Sequence, residues 1–236
     1  MLTLALPSKG RLQELTIERF ARAGVTVERS ADGREYAGRV LGVEGVALAL
    51  LSAAEIPGAL ASGAVHVGVT GEDLIREQIP DADARVAAPL RLGFGHADLV
   101  VAVPAVWVDV ESVHDLDEAA AAFRARHGRP MRVATKYHAL ARRFFAERGV
   151  ADYRLIDSQG ATEAGPKNLS CELIVDITSS GDTLRANHLK VLEDGLILRS
   201  EALLAVSRAA PWTAPARAAL AQIGARMGFD ADALRL

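Results

Sequence analysis

Residues 173–189 read LIVDITSSGDTLRANHL. Leu173, Ile174, Val175 and Ile177 form an apolar run broken once, by Asp176. Thr178, Ser179, Ser180, Gly181, Asp182 and Thr183 follow, and the pattern turns helical from about Asp182 to Leu184. A short β-branched run that stops at hydroxyls and glycine before a helix reads as the carboxyl end of a buried strand, the edge at which open α/β sheets bind ligands. Free N–H groups and a partial positive charge at a helix start attract phosphate. Hydroxyls at Thr178, Ser179, Ser180 and Thr183 add donors, and Gly181 lets the backbone come close to an anion. Asp176 at the head of this loop would repel phosphate but suits the hydroxyls of a ribose. A lone carboxylate beside a phosphate cradle points to a sugar phosphate. An ordinary strand-to-helix turn with a Ser or Asp cap accounts for the same residues as well. Neither the P-loop pattern nor the dinucleotide Gly-x-Gly-x-x-Gly pattern is present in this stretch.

Outward from this stretch, short Val- and Ile-rich runs alternate with amphipathic segments. LTLALP at the N-terminus, VALALLSA, AVHVGVTG, DLVVAVPAVWV, MRVATK and ELIVDIT read as strands. LQELTIERFARAG reads as a helix with Leu12, Leu15, Phe20 and Ala23 on one face and Gly24 as its stop. Further helices are expected from Ile56 to about Ser62, and over EDLIREQI, DLDEAAAAFRARHG, YHALARRFFAERG and TAPARAALAQIGARMG, the last packing on the body of the protein. Apolar strands alternating with helices argue for an α/β fold with parallel sheets covered on both faces. The arginines of HGRPMR read as solvated.

The chain has 236 residues, 50% hydrophobic and 24% charged, with a formal net charge of -3 from 27 basic and 30 acidic side chains. This is a globular profile with no electrostatic case for a nucleic-acid or membrane partner. The N-terminus lacks a signal-peptide core, and no apolar run approaches the ~20 residues of a membrane span. With Cys171 as its single cysteine, the chain is expected in the reducing cytoplasm. Cys171 reads as a small buried thiol rather than a nucleophile. Histidines 66, 96, 114, 127, 138 and 188 show no metal-ligand spacing, and no protein metal site is expected.

Four more strand ends carry polar residues. Lys9 and Arg11 flank Gly10 after the first strand, and two cations at a sheet edge suit a polyphosphate. Gly71, Glu72 and Asp73 open a helix, where acids are favoured by the dipole in any case. Thr135, Lys136 and Tyr137 mark another junction. Gly160, Ala161 and Thr162 form a possible anion-binding turn, with Glu163 in its first helical turn.

Taken in order, LALPSKGRL, GVTGEDLI, RVATKYHALARRFF and LIVDITSSGDTLRANHL resemble the ATP phosphoribosyltransferase family, the first enzymes of histidine biosynthesis. The likeness runs from Leu4 to about Leu203. It implies two α/β lobes like those of type II periplasmic binding proteins, with the active site in the cleft between them. Residues 1–96 with 200–236 would form the first lobe, and 97–199 an inserted second lobe carrying the phosphoribosyl pyrophosphate loop. The implied reaction joins N1 of ATP to the anomeric carbon of phosphoribosyl pyrophosphate. It gives N1-(5-phosphoribosyl)-ATP and pyrophosphate, with Mg2+ carried on the substrate. By resemblance, Asp176, Thr178, Ser179, Ser180, Gly181, Asp182 and Thr183 bind the ribosyl donor. Lys9, Gly10, Arg11, Gly71, Asp73 and Glu163 serve ATP, and Arg11 and Arg34 are the catalytic cations at the leaving pyrophosphate.

The chain departs from the family pattern at three positions. Ser179 stands where an acid is usual, two residues before the loop glycine. Ser52 and Glu55 replace an arginine and an aspartate before Ile56, so a salt bridge or pyrophosphate contact is in question. The segment after the matching region is too short for the regulatory domain of long family members. The resemblance is therefore to the short form, which implies a regulatory partner related to histidyl-tRNA synthetase in a hetero-octamer, and a homodimer alone. Two other readings share parts of the pattern. A non-enzymatic two-lobed binding module would share the fold, and a different phosphoribosyltransferase would share the loop but usually carries two adjacent acids.

Overall fold

The computed structural model describes residues 1–29, 37–158 and 160–236. In chain order the first elements are β1 (Leu2–Pro7), α1 (Gly10–Arg22), β2 (Thr26–Arg29), β3 (Ala37–Leu41), β4 (Val46–Leu51), α2 (Ile56–Ser62), β5 (Val67–Gly71), α3 (Glu72–Gln78), α4 (Ala82–Arg85) and β6 (Val86–Arg91). Then come β7 (Ala97–Pro104), α5 (Val113–His127), β8 (Met131–Thr135), α6 (His138–Glu147), β9 (Tyr153–Asp157), a 3-10 turn at Thr162–Ala164, β10 (Leu173–Thr178) and α7 (Asp182–Ala186). The chain closes with β11 (Leu189–Ser200), β12 (Ala202–Ser207), α8 (Ala214–Met227) and a second 3-10 turn at Asp232–Leu234. It divides into two compact units, residues 1–95 with 201–236 and residues 96–200.

Among the described residues, the strands of the first unit form a seven-stranded sheet in the order β2-β3-β4-β1-β5-β12-β6. β4, β1 and β5 run parallel, whereas β12 is antiparallel to both β5 and β6. The second unit holds a five-stranded sheet, β11-β7-β10-β8-β9, in which β10, β8 and β9 are parallel and β7 is antiparallel to its two neighbours. Both sheets are thus mixed rather than parallel throughout. Burial on both faces, not strand direction, makes a strand uniformly apolar, so β7 reads like its parallel neighbours.

Side-chain alternation along β1 sorts the first unit into two layers. Leu2, Leu4 and Leu6 pack with Phe20 of α1 and with Leu220 and Ile223 of α8. Ala5 points the other way, into a cluster with Ile56 and Leu60 of α2 and Ile75 of α3. β12 repeats the split, with Ala202, Leu204 and Val206 in the first cluster and Leu203 and Ala205 in the second. α8 packs as its pattern predicts, starting at a Thr213 cap that accepts the Ala216 N–H at 3.4 Å. On α1 the inner row is Gln13, Thr16 and Phe20, while Leu12 and Leu15 are only half-buried. Thr16 is tolerated there because its hydroxyl donates to the Leu12 carbonyl at 2.7 Å.

In the second unit β10 is locked to β8 by Glu172, just before the strand. Its carboxylate accepts the Arg132 N–H at 2.6 Å, Arg132 Nη2 at 2.8 Å and Arg129 Nη2 at 3.0 Å. The arginines of HGRPMR are therefore ion-paired, not simply solvated. Burial pushes the Glu172 carboxyl up, but the bonds from Arg132 and Arg129 outweigh it and hold the pKa at about 2. α5 begins with a capping box between Ser112 and Asp115.

Candidate active site

Because β10, β8 and β9 are parallel and in register at Val175, Thr135 and Asp157, their carboxyl ends lie along one edge. Asp176 and its loop leave that edge from β10, Lys136 from β8, and the Gly160–Glu163 turn from β9. A pocket of about 340 Å3 opens there, lined by Glu163, Asp176, Thr178, Ser179, Ser180 and Thr183 among others. Its size falls within the roughly 300–1,000 Å3 usual for small-molecule sites.

Asp176 is half-buried, and one carboxylate oxygen accepts the Ile177 N–H at 2.9 Å. Burial raises its pKa above the ordinary aspartate value, and neighbouring Glu163 adds to the rise. The Ile177 N–H, the Thr162 hydroxyl and Lys136 oppose it. Thr162 itself is buried and shares a 2.5 Å hydrogen bond with Ser158.

The loop hydroxyls are partly committed. Ser179 Oγ donates to the His96 carbonyl at 2.9 Å, and Ser180 Oγ donates to Asp182 Oδ2 at 2.6 Å. Thr178 Oγ1 instead accepts the Gly181 N–H at 2.9 Å, which leaves its own proton to donate. Gly181 has φ +75°, in the left-handed region where glycine is unstrained. The helix expected to begin at Asp182 does so, but α7 spans only five residues, so its dipole is weak.

In the first unit β1, β4 and β5 likewise end together, with Pro7 opposite Leu51. Lys9 and Arg11 are exposed there on either side of Gly10, whose φ is +78°. Among the described residues neither cation has an acidic partner within ion-pair distance. Gly71 has an ordinary φ of -71°, so the turn does not need its freedom. Its missing side chain matters for another reason: a Cβ there would collide with the buried Asp73 carboxylate, which folds back over it. Glu72 is buried and held by Arg76 Nε at 2.7 Å and Arg91 Nη2 at 2.5 Å. Ser52 and Glu55 close a small turn, the Ser52 N–H donating to Glu55 Oε2 at 2.8 Å.

The expected site residues thus fall into two groups. Asp176, Thr178, Ser179, Ser180, Thr183 and Glu163 share the pocket of the second unit, with Gly181 and Asp182 in the same loop. Glu163, expected with ATP, therefore stands beside Asp176. Lys9, Gly10, Arg11, Gly71 and Asp73 belong to adjacent strand ends of the first unit. Arg34 lies outside the described residues. Sequence reading missed the contact of Arg185 with the loop, for which the only signal was its spacing of three from Asp182. Among the described residues no three His, Cys, Asp or Glu side chains gather as a metal site, and no helix is long and apolar enough to cross a membrane.

The fold and this loop define a two-lobed α/β protein of the periplasmic-binding-protein type. A histidine kinase sensor domain with similarity to periplasmic binding proteins superposes with a TM-score of 0.51 at 14% identity, covering all of this chain and 90% of that one. The chain of the ATP phosphoribosyl transferase (HisG:HisZ) complex from Thermotoga maritima is closer, with a TM-score of 0.69 at 23% identity, 96% of this chain and 98% of that one. Residues 52–228 match the family model HisG, ATP phosphoribosyltransferase. The ATP phosphoribosyltransferase of Cereibacter sphaeroides is 56% identical over 97% of this chain and 96% of its own length. That of Rhodopseudomonas palustris strain BisB18 is also 56% identical, but the match covers 94% of this chain and only 70% of the relative. The chain belongs to the ATP phosphoribosyltransferase family. It is a transferase of the first step of histidine biosynthesis, in which the 5-phosphoribosyl group of phosphoribosyl pyrophosphate passes to N1 of ATP.

Proposed function

We propose that the loop from Asp176 to Thr183 binds phosphoribosyl pyrophosphate, and that Lys9, Gly10, Arg11, Gly71, Asp73 and Glu163 serve ATP and the leaving pyrophosphate. The observation that carries this reading is the pocket that joins one half-buried carboxylate to a hydroxyl-rich turn. Asp176 accepts hydrogen bonds from the ribose hydroxyls. Thr178, whose oxygen already accepts the Gly181 N–H, turns its proton to the 5-phosphate, and Thr183 adds a second hydroxyl. Ser179 and Ser180 act through the backbone, since their hydroxyl protons are spent on His96 and Asp182.

The reaction needs little acid–base help. Positive charge develops on the ribose and negative charge on the departing pyrophosphate, so positioning and charge stabilisation lower the barrier. Lys9 and Arg11 are exposed cations suited to the pyrophosphate, and Arg34 completes the set assigned to it. Mg2+ enters on the donor and helps neutralise the leaving group. The carboxylates and hydroxyls of the pocket are hard oxygen donors of the kind it prefers.

The chain works in the cytoplasm with a regulatory subunit related to histidyl-tRNA synthetase, as a hetero-octamer, and forms a homodimer alone. The partner reading is supported by the fold likeness to the Thermotoga protein, whose structure is that of a HisG:HisZ complex.

Titration calorimetry with phosphoribosyl pyrophosphate and Mg2+ tests the loop assignment. Asp176→Ala is expected to raise the dissociation constant about tenfold or more, the cost of a lost charge-assisted contact. Unchanged affinity would place the donor elsewhere.

A further inference from the structure

The loop contains an ion pair that phosphate binding alone does not call for. Asp182 and Arg185 are three residues apart on the single turn of α7. Arg185 Nη2 donates to Asp182 Oδ1 at 2.5 Å and to the Ser180 carbonyl at 3.0 Å. The other oxygen of Asp182 accepts Ser180 Oγ at 2.6 Å. The guanidinium lies over Gly181, where a Cβ would meet Nη1 at 2.9 Å. Bonds from Ser180 and Arg185 hold the Asp182 carboxyl below its usual range, so it is ionised at neutral pH. Both side chains are largely exposed, 76% for Asp182 and 66% for Arg185, and such a pair contributes little to global stability. Its position gives it another role. A bare carboxylate within a phosphate-binding turn repels the ligand at distances shorter than the screening length of physiological salt.

We propose that Arg185 is a positioning residue of the phosphoribosyl site: it neutralises Asp182 and occupies the Ser180 carbonyl, so that neither oxygen opposes the donor's phosphate. The proposal rests on the reading that this loop holds the donor. It assigns Asp182 to the frame of the loop rather than to ligand contact, and it explains how an acid is accommodated directly after the loop glycine.

The test is steady-state kinetics on the full chain, with its regulatory subunit if that is required, for wild type, Arg185→Ala, Arg185→Lys and Arg185→Ala combined with Asp182→Asn. Arg185→Ala is expected to raise KM for phosphoribosyl pyrophosphate about three- to tenfold, the scale of one screened carboxylate–phosphate repulsion. kcat should change far less, and the melting temperature should stay at the wild-type value. Arg185→Lys should recover part of the loss, and adding Asp182→Asn to Arg185→Ala should recover most of it. A wild-type KM in Arg185→Ala overturns the proposal. So does a raised KM that Asp182→Asn leaves in place, or one that comes with a lowered melting temperature, because the arginine would then act on the fold and not on charge. A wild-type enzyme whose rate does not depend on the donor refutes the functional reading itself, an outcome distinct from these.

Discussion

Asp176 ends β10 half-buried, with a pKa raised first by burial and then by Glu163. Its folded-state value lies above the unfolded one, so the native state holds the proton more tightly than the unfolded chain does. By linkage, stability rises as pH falls through the raised value, and at neutral pH the carboxylate is a net cost to folding. Asp176→Asn is therefore expected to raise Tm at pH 7 while weakening donor binding. The Tm gap from wild type should close as the pH is lowered past the raised pKa, which thermal melts across the acid range would read. A variant less stable than wild type at pH 7 would mean that the Ile177 and Thr162 bonds outweigh burial. Such a trade of stability for binding fits a residue kept for its chemistry.

Among the elements, β10 depends on Glu172 for its place beside β8. The carboxylate is 11% exposed, and its pKa of about 2 against a reference of 4.5 makes it a stabilising charge. That contribution is complete above the unfolded pKa and is lost as pH falls from 4.5 toward 2. Glu172→Gln should cost about 1–3 kcal/mol at pH 7, measured by urea denaturation, because it leaves two arginines short of a partner. The deficit should shrink in acid. No local pattern announces this clamp, since Arg132 and Glu172 are 40 residues apart in sequence. Strands β1, β4, β5, β7, β8 and β10 were legible as β-branched or Leu-rich runs ended by turn residues. β12 was not, because ALLAVS is rich in alanine and leucine, which favour helices in isolation, and only its pairing between β5 and β6 makes it a strand. β11 was hidden by Glu193, Asp194 and Gly195 at its register shift, and β6 by Pro89, which an edge strand tolerates. The loop after β10 was legible because its residue types are unusual for a strand end. The braces within it, His96 with Ser179 and Arg185 with Asp182, depend on folded geometry that composition does not encode.

At the scale of the whole molecule, the chain leaves the first unit after Gly95 and returns at Glu201, so each unit closes its own core while the first is assembled from both ends of the sequence. No shift in composition marks either crossing, and the two-lobed reading came from family resemblance rather than from a linker. The same economy of design appears in both sheets: three parallel strands end side by side, and the polar turns after them carry the residues assigned to substrates. Phosphoribosyl transfer to ATP is read most directly by the ultraviolet absorbance of N1-substituted adenine. Purified chain, with and without the regulatory subunit, is mixed with ATP, phosphoribosyl pyrophosphate, Mg2+ and inorganic pyrophosphatase. A rise is expected that requires both substrates and, at low donor concentration, is strongly reduced in Asp176→Ala, as the assignment of this loop to the donor requires. A flat trace under both conditions, or an undiminished rise in Asp176→Ala, would contradict it.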